Sequence, residues 1–324
     1  MNVLSLFDGI SCARVALERA GIPVKTYSAS EVDKHAIAIS QKNYPEIIQL
    51  GDVRNVHTLD EPIHLLIGGS PCVDLSIAKK DRKGLEGKYS SLFWEYVRIL
   101  KLVQPKYFIL ENVASMPKKD KDIITDTLGV EPILIDASLV SAQSRKRLFW
   151  TNIPTTQPAD RGILLKDILQ PDAEVDESMT VNGKSFCLTS TYHKVGENQN
   201  EYEHNKARKQ RTMVVGRDIG RRLNEEGHRA DHNKDIPTQR RIETRTDGKC
   251  GTLTSVQKDN LVVSEPRIRK LTPIECERLQ GLPDNYTEGV AKTHRYKCLG
   301  NAFHVEVIAH ILSSVKTENS VVYS

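Results

Sequence analysis

Five short, mainly aliphatic runs occur in the first 110 residues. Their spacing restricts the fold more than any other feature of the chain. Each run ends within two residues of a glycine or an acid, as buried strands do where they open into loops. Helical spacing of apolar residues follows three of the runs, at residues 13–20, 34–43 and 91–103. Strands that alternate with helices predict an open, mostly parallel α/β sheet. The runs are residues 2–6, 26–29, 47–50, 63–67 and 107–110.

Composition narrows the class of protein without indicating its chemistry. With 324 residues, 39% hydrophobic and 27% charged, the chain can form one large domain and a smaller one. No window approaches the roughly 18 to 20 apolar residues of a membrane span, and the first residues lack a basic signal region. Six cysteines without a C-x-x-C pair favour a reducing interior and no metal site. A net charge of +4 says nothing by itself about nucleic acid.

A thiol lies just past the end of the fourth aliphatic run, in the stretch GGSPC that closes with Cys72. Open α/β sheets place ligands and chemistry at the carboxyl ends of their strands. A cysteine there is either a nucleophile or a small packing residue, and packing is the commoner role. The stretch alone leaves both interpretations open.

Three consecutive strand ends carry groups suited to a nucleoside-bearing cofactor. Strand, Gly9 turn and helix form a cradle in which backbone can approach a ligand. Glu31, about 20 residues further on, is placed for ribose hydroxyls, and Asp52 for an adenine amino group. The full G-x-G-x-x-G fingerprint is absent, so the first unit alone also fits a turn without a ligand. The regular recurrence favours the cofactor.

Charged side chains also flank two later apolar segments, after the first and before the second. Glu111 follows the run at 107–110, where it can reach the thiol of the neighbouring strand or simply cap the next helix. Arg145 and Arg147 are two residues apart before the apolar residues 148–150, so in an extended segment they face one side. Two such guanidiniums can grip one anion or polar ring.

In this order, the motifs FDG (7–9), GGSPC (68–72), ENV (111–113) and QSRKR (143–147) resemble the DNA (cytosine-5)-methyltransferase family. RKLTPIECERLQGLPDNY (269–286) and the GN at 300–301 are similar to its last two motif blocks. The resemblance implies a doubly wound, mostly parallel, Rossmann-like sheet that uses S-adenosylmethionine, with a smaller strand-rich target-recognition domain. The implied boundaries are 1–170 completed by 296–324 for catalysis, 171–268 for target recognition and 269–295 for a hinge.

The resemblance also implies the roles of individual residues. Cys72 would be the nucleophile and Glu111 the group that contacts and protonates N3 of cytosine, with Arg145 and Arg147 holding the base and Glu111. Ser11 stands where the family often has glycine, and Val73 where it commonly has glutamine. The residues implied to bind the cofactor are Phe7, Asp8, Gly9, Glu31, Val32, Asp52, Val53, Pro71 and Asn301.

The second half of the chain has the sequence pattern and composition of a nucleic-acid-binding region. Residues 172–266 predict short strands and polar turns with no long helical period, with strand-rich pieces at 185–192 and 250–263. Residues 204–249 hold 13 Lys and Arg against 7 Asp and Glu, which suits phosphates and base edges, although a solvated insertion has the same composition. The basic loop at 79–87 predicts a mobile lid or a solvated loop. Residues 305–315 predict a helix that packs on the first domain.

The main prediction is therefore methyl transfer from S-adenosylmethionine to carbon 5 of a flipped-out cytosine in duplex DNA. Two alternatives stay open: a tRNA cytosine methyltransferase, since one branch of the family acts on RNA, and a catalytically silent DNA-binding regulator. We expect a monomer in a bacterial or phage-infected cytoplasm, with a restriction endonuclease as a candidate partner and no membrane contact.

Overall fold

A computed structural model describes most of the chain, with gaps that fall on several predicted features. The described residues are 1–71, 90–171, 173–174, 180–188, 190, 192–194, 199–208, 213–216, 218–221, 239–242 and 267–320. Cys72, Val73, the basic loop at 79–87 and the strand piece at 250–263 lie outside them, as does most of the basic stretch at 204–249.

A seven-stranded sheet forms the centre of the fold. Its strands are β1 (Asn2–Leu6), β2 (Thr26–Ser30), β3 (Ile48–Gln49), β4 (Leu65–Gly69), β5 (Tyr107–Val113), β6 (Ile133–Asp136) and β7 (Lys146–Thr151). The strand order is β3-β2-β1-β4-β5-β7-β6, and β7 runs antiparallel to both of its neighbours, while the first five strands pair in parallel. The predicted α/β fold with a mostly parallel sheet is confirmed.

Eight α-helices accompany the strands in the described residues. They are α1 (Cys12–Arg19), α2 (Lys34–Asn43), α3 (Phe93–Val103), α4 (Lys118–Leu128), α5 (Gln199–Arg208), α6 (Pro273–Leu279), α7 (Lys292–Asn301) and α8 (Val305–Ser320). The helices predicted at 13–20, 34–43, 91–103 and 305–315 are confirmed to within a few residues. The expectation of no long helical period in 172–266 is wrong, because α5 spans ten residues there.

Two apolar clusters cover the two faces of the sheet, as a doubly wound fold requires. On β1, Val3 belongs to the cluster that contains α1, α2 and α8, whereas Leu4 and Leu6 belong to the cluster under α3 and α4. Alternate residues of the strand thus face opposite layers, both of them buried. This burial on both faces explains why the strands read as continuous aliphatic runs.

The last helix returns to the start of the chain. Helix α8 packs against α1, with Ile308, Ile311 and Leu312 fully buried in the contact layer. Glu306, in its first turn, accepts hydrogen bonds from Arg19 and, at 2.7 Å, from Arg161. The predicted packing of the C-terminal helix on the first domain is confirmed.

The described parts of the second half contain short antiparallel strands. Met213–Gly216 pairs with both Arg267–Lys270 and Ala173–Glu174, and Asp218–Arg221 pairs with Gln239–Ile242. The strand-rich piece predicted at 185–192 is wrong in detail, because Ser185 makes only an isolated bridge and residues 192–194 form a 3₁₀ turn. Within the described residues, no single helix is long and apolar enough to cross a membrane; α7 and α8 meet that test only as a bent pair.

Candidate active site

A cavity of about 470 Å³ opens at the carboxyl edge of the sheet, between the strand ends and α7. Pro71, which precedes Cys72 in the sequence, lines this cavity. Asp8 is the one predicted site residue among those described that does not line it. The predicted residues that do are Phe7, Gly9, Glu31, Val32, Asp52, Val53, Pro71, Glu111, Arg145, Arg147 and Asn301.

The turn after β1 fixes the first carboxylate of the cavity. Gly9 has φ +62°, a conformation that glycine adopts without strain, and its N–H donates to Glu31 Oε2 at 2.8 Å. Glu31 Oε1 accepts from the backbone N–H groups of Val32 at 2.7 Å and Asp33 at 2.8 Å. Three backbone donors therefore hold this carboxylate in one orientation at the cavity wall.

Asp8 lies beneath the turn instead of in the cavity. Its carboxylate accepts from the hydroxyls of Ser11 at 2.5 Å and Tyr27 at 2.7 Å, and Ser11 also shares a hydrogen bond of 2.6 Å with Ser40. Burial raises the pKa of Asp8, and these hydroxyls oppose the shift. The Asp8 side chain therefore supports the turn from below and does not line the cavity.

The serine that replaces the family's frequent glycine takes up the glycine conformation. Ser11 has φ +60° and ψ +37°, in the left-handed region that costs a residue with a Cβ about 1 kcal/mol. Its two buried hydrogen bonds offset that strain. The turn therefore keeps a left-handed residue at position 11 despite the Cβ of serine.

Asp52 and Arg54 form the far end of the cavity. The Asp52 carboxylate accepts from the Arg54 guanidinium and from its backbone N–H at 3.0 Å, and Arg54 lowers the pKa of Asp52 to about 2. Val32 lines the same cavity and is 70% exposed. An acceptor next to exposed hydrocarbon suits the edge and face of a flat, amino-bearing ring.

Glu111 and Arg147 form an ion pair at the opposite end. The pair is made by Arg147 Nε and Glu111 Oε1 at 2.8 Å, with both side chains less than one-fifth exposed. Glu111 lies inside β5, which is three residues longer than predicted, and α4 begins later, after Pro117. The capping role that the sequence left open for Glu111 is therefore wrong.

Arg145 lines the same cavity but donates mainly to backbone carbonyls. Its Nη1 bonds Leu188 O at 3.1 Å, and its Nη2 bonds Gly300 O at 3.2 Å and Ala302 O at 2.9 Å. Burial lowers the pKa of this guanidinium, with Arg147 adding to the effect. Arg145 thus ties the cavity wall at α7 to the segment around residue 188.

Sequence reasoning missed the amide that holds the chain before Cys72. Asn112 is fully buried, and its Nδ2 donates to Ser70 O at 3.3 Å and Ser70 Oγ at 3.1 Å. Ser70 is two residues before Cys72 in the sequence, so this contact fixes the backbone just after β4. Asn112 stood in the ENV motif, which was the only signal in the sequence.

A second thiol, also missed, lies between the two arginines. Cys187 Sγ accepts from Arg145 Nη1 at 3.5 Å and Arg147 Nη2 at 3.9 Å. Burial opposes ionisation of this thiol, but the two guanidiniums outweigh it and lower the pKa of Cys187. Nothing in the local sequence around residue 187 predicted this contact, which depends on pairing between residues 185 and 143.

Comparison with known protein families identifies this arrangement. The model of the family described as C-5 cytosine-specific DNA methylase matches residues 1–317. The chain belongs to that family. Its relatives include the Type II methyltransferase M.HhaI of Haemophilus parahaemolyticus, 26% identical over 97% of this chain and 94% of the relative. M.NlaX of Neisseria lactamica, another Type II methyltransferase, is 27% identical over 99% and 98% of the two chains.

Solved structures with low sequence identity share the fold. The Entamoeba histolytica methyltransferase EhMeth superposes with a TM-score of 0.64 at 17% identity, covering 98% of each chain. A putative DNA modification methyltransferase from an Escherichia coli prophage gives 0.58 at 20% identity, and a Spodoptera frugiperda DNMT2 gives 0.58 at 17%. These proteins support the fold of the family rather than a substrate.

Family membership implies S-adenosylmethionine as methyl donor, and the cavity fits that molecule. Its volume lies within the range of about 300–1,000 Å³ typical of small-molecule sites. Glu31 and Asp52 supply acceptors for hydroxyl and amino groups, and Val32 supplies an apolar surface. The Glu111–Arg147 pair lines the same cavity as Pro71, the residue before Cys72 in the sequence.

Proposed function

We propose that the chain transfers a methyl group from S-adenosylmethionine to carbon 5 of cytosine in duplex DNA, through a covalent bond between Cys72 and C6. The observation that carries this proposal is one cavity that holds the Glu111–Arg147 pair, the residue before Cys72, and the carboxylates Glu31 and Asp52. A methyl donor and an extruded base would meet in this space.

The target base would occupy the end lined by Glu111 and Arg147. The Cys72 thiolate adds to C6, forming the S–C6 bond and moving an electron pair towards C5. Glu111 provides the proton at N3 that neutralises the developing charge, and Arg147 holds the Glu111 carboxylate and stabilises the O2 edge. Arg145 and Asn112 keep the surrounding walls in place.

The cofactor would lie along the strand ends, where Glu31 faces the ribose, Asp52 faces the adenine amino group, and Phe7, Val32 and Val53 flank the ring. Gly9 and Asn301 complete the wall. When bound, S-adenosylmethionine would supply an electrophilic methyl group to the activated C5 and leave as S-adenosylhomocysteine. A base then removes the C5 proton, the S–C6 bond breaks so that Cys72 leaves as a thiolate, and N3 returns its proton to Glu111.

Duplex DNA is the substrate class that the chain's second half supports best. A cytosine inside a duplex hides C6, so the base must leave the stack at a cost of a few kcal/mol. The basic residues of 204–249 suit phosphate contacts, and we assign 171–268 to target recognition, 269–295 to a hinge, and 1–170 with 296–324 to catalysis. The names of the relatives, both Type II and orphan phage enzymes, support a bacterial or phage-infected cytoplasm.

Transfer of tritiated methyl groups to DNA and to tRNA, in parallel, tests the substrate. Labelled DNA is the expected result; labelled tRNA alone supports the RNA alternative, and binding to DNA without transfer supports the silent regulator. Cys72→Ala should abolish transfer, whereas Cys276→Ala, a buried thiol away from the cavity, should keep it when folded.

A duplex with 5-fluorocytosine at the target position tests the covalent step, because C5 then has no removable proton. The adduct should persist in denaturing gels for the natural chain and be absent for Cys72→Ala. Retention of activity in Cys72→Ala would refute nucleophilic attack by this thiol.

A further inference from the structure

Arg54 is the only arginine or lysine side chain among the described residues that both lines the cavity at the Asp52 end and bonds its carboxylate. Nε donates to Oδ1 at 3.0 Å and to Oδ2 at 3.2 Å, and Nη2 donates to Oδ2. The backbone N–H of Arg54 adds a bond of 3.0 Å to Oδ1. The fork geometry of a guanidinium fixes the plane of the carboxylate it binds.

A carboxylate held in one orientation discriminates more strongly between donor and acceptor groups on its ligand than a carboxylate that can rotate. An ionised carboxylate only accepts hydrogen bonds, and Arg54 already occupies most of the acceptor positions of Asp52. The remaining position suits a donor at one place, such as the exocyclic amino group of adenine. A ligand with a carbonyl at that place would bring two hydrogen-bond acceptors face to face. A free carboxylate could rotate to accept from the neighbouring ring N–H instead, but a carboxylate fixed by Arg54 cannot.

A second arginine, from outside the loop, holds the backbone of the loop that carries this pair. From α3, Arg98 donates to Val56 O at 2.8 Å and to Val53 O at 3.1 Å, and its Nε bonds Glu95 at 2.8 Å. Arg98 thus braces the backbone, while the Arg54 side chain, 67% exposed, touches the carboxylate. Two arginines therefore contact this loop with separable roles, Arg54 from within it and Arg98 from α3.

We infer that Arg54 is a positioning residue that makes the cofactor site selective for an adenine amino group by locking the carboxylate of Asp52. The inference rests on the proposed function, in which Asp52 faces the adenine. It adds a selectivity device to the cavity: a guanidinium that needs no contact with the reacting atoms.

The test measures binding of S-adenosylhomocysteine and of its inosyl analogue, which has a carbonyl in place of the amino group, by titration calorimetry. The natural chain should prefer the adenosyl ligand by about tenfold or more, the consequence of leaving a polar group unpaired. Arg54→Ala should lower this ratio several-fold, raise KM for S-adenosylmethionine and leave kcat unchanged. Arg54→Lys, which keeps the charge without the fork, should fall between the two.

Arg98→Ala is the matched control, because it loosens the loop without touching Asp52. It should weaken both ligands together and preserve their ratio. An unchanged ratio in Arg54→Ala, or an equal loss of ratio in Arg98→Ala, would overturn the role of Arg54 while leaving the proposed function intact. Failure of the natural chain to bind either ligand, or an unchanged ratio in Asp52→Asn, would instead overturn the proposed placement of the adenine, and the inference with it.

Discussion

Replacement of Gly69 by alanine should slow the reaction in a way that the accompanying loss of stability does not explain. Gly69 is the last residue of β4 and pairs with Glu111 on β5. An added Cβ would lie 2.7 Å from Cε1 of Phe303 and 3.1 Å from Oε2 of Glu111. Ordinary contact begins at 3.4 Å, so the Phe303 ring must retreat by about 0.7 Å and the carboxylate must shift as well.

Displacement of Phe303 affects stability, whereas displacement of Glu111 affects kcat. Overpacking of this kind costs about 1–3 kcal/mol of unfolding free energy, because Phe303 is buried and its neighbours yield little. Measured against the same 3.4 Å contact distance, the Glu111 carboxylate must shift by about 0.3 Å. Because a misplacement of about 1 Å can lower a rate by roughly 100-fold, this smaller shift should lower kcat by roughly 3- to 10-fold, or about 0.6–1.4 kcal/mol in the barrier. The effect on kcat should therefore exceed what lost stability explains.

Gly68→Ala is the matched control for this experiment. Its Cβ would meet ring carbons of Tyr96 at 3.0 and 3.1 Å and Leu6 O at 3.1 Å, on the face of the sheet away from Glu111. Both variants should unfold at lower urea concentration, but at equal folded fraction only Gly69→Ala should lower the rate of methyl transfer, by roughly 3- to 10-fold. Equal kcat values for the two variants would refute the placement of Glu111 against the reacting ring.

Three further outcomes follow from individual contacts. Asn112→Ala should slow trapping of a 5-fluorocytosine duplex by roughly 10-fold or more, since Ser70 loses both amide bonds; undiminished trapping contradicts this. Asp8 has a raised folded pKa, so the natural chain should lose stability as pH rises above about 4, and Asp8→Asn should remove that slope in urea titrations at several pH values. Cys187→Ala should lower kcat about 3- to 10-fold with KM for the cofactor unchanged, because Arg147 loses an acceptor; a change in KM alone would argue against it.

The large sheet was predictable because both of its faces are buried. Strands in such sheets read as unbroken aliphatic runs, and the runs at 2–6 and 26–29 match β1 and β2 to within a residue. The end of β5 was not predictable from that pattern, since Glu111 and Asn112 interrupt the run yet remain paired with β7. A helix after Glu111 was expected, but the bounds of α4 were not predicted, because it buries little apolar surface beyond Ile124.

The cavity was predictable from chain direction, whereas its second layer was not. Parallel strands end at one edge, so Gly9, Glu31 and Asp52 had to meet there once the strand ends were placed. Asp8 stood in the same motif as Gly9, but the turn sends its carboxylate below the backbone towards Tyr27. Contacts such as those of Cys187 and Arg54 depend on side-chain geometry between or within loops, for which the sequence carries no periodic signal.

The reversal of β7 has a consequence for how the chain is made. Because β7 runs against its neighbours, Arg147 reaches the carboxyl edge at the start of its strand, early enough to pair with Glu111 once about half the polypeptide exists. Asn301, on the facing wall, is synthesised more than 150 residues later. During translation the two walls are therefore separated in time, and a nascent chain that has completed the large sheet still lacks one side of its cavity until α7 has left the ribosome.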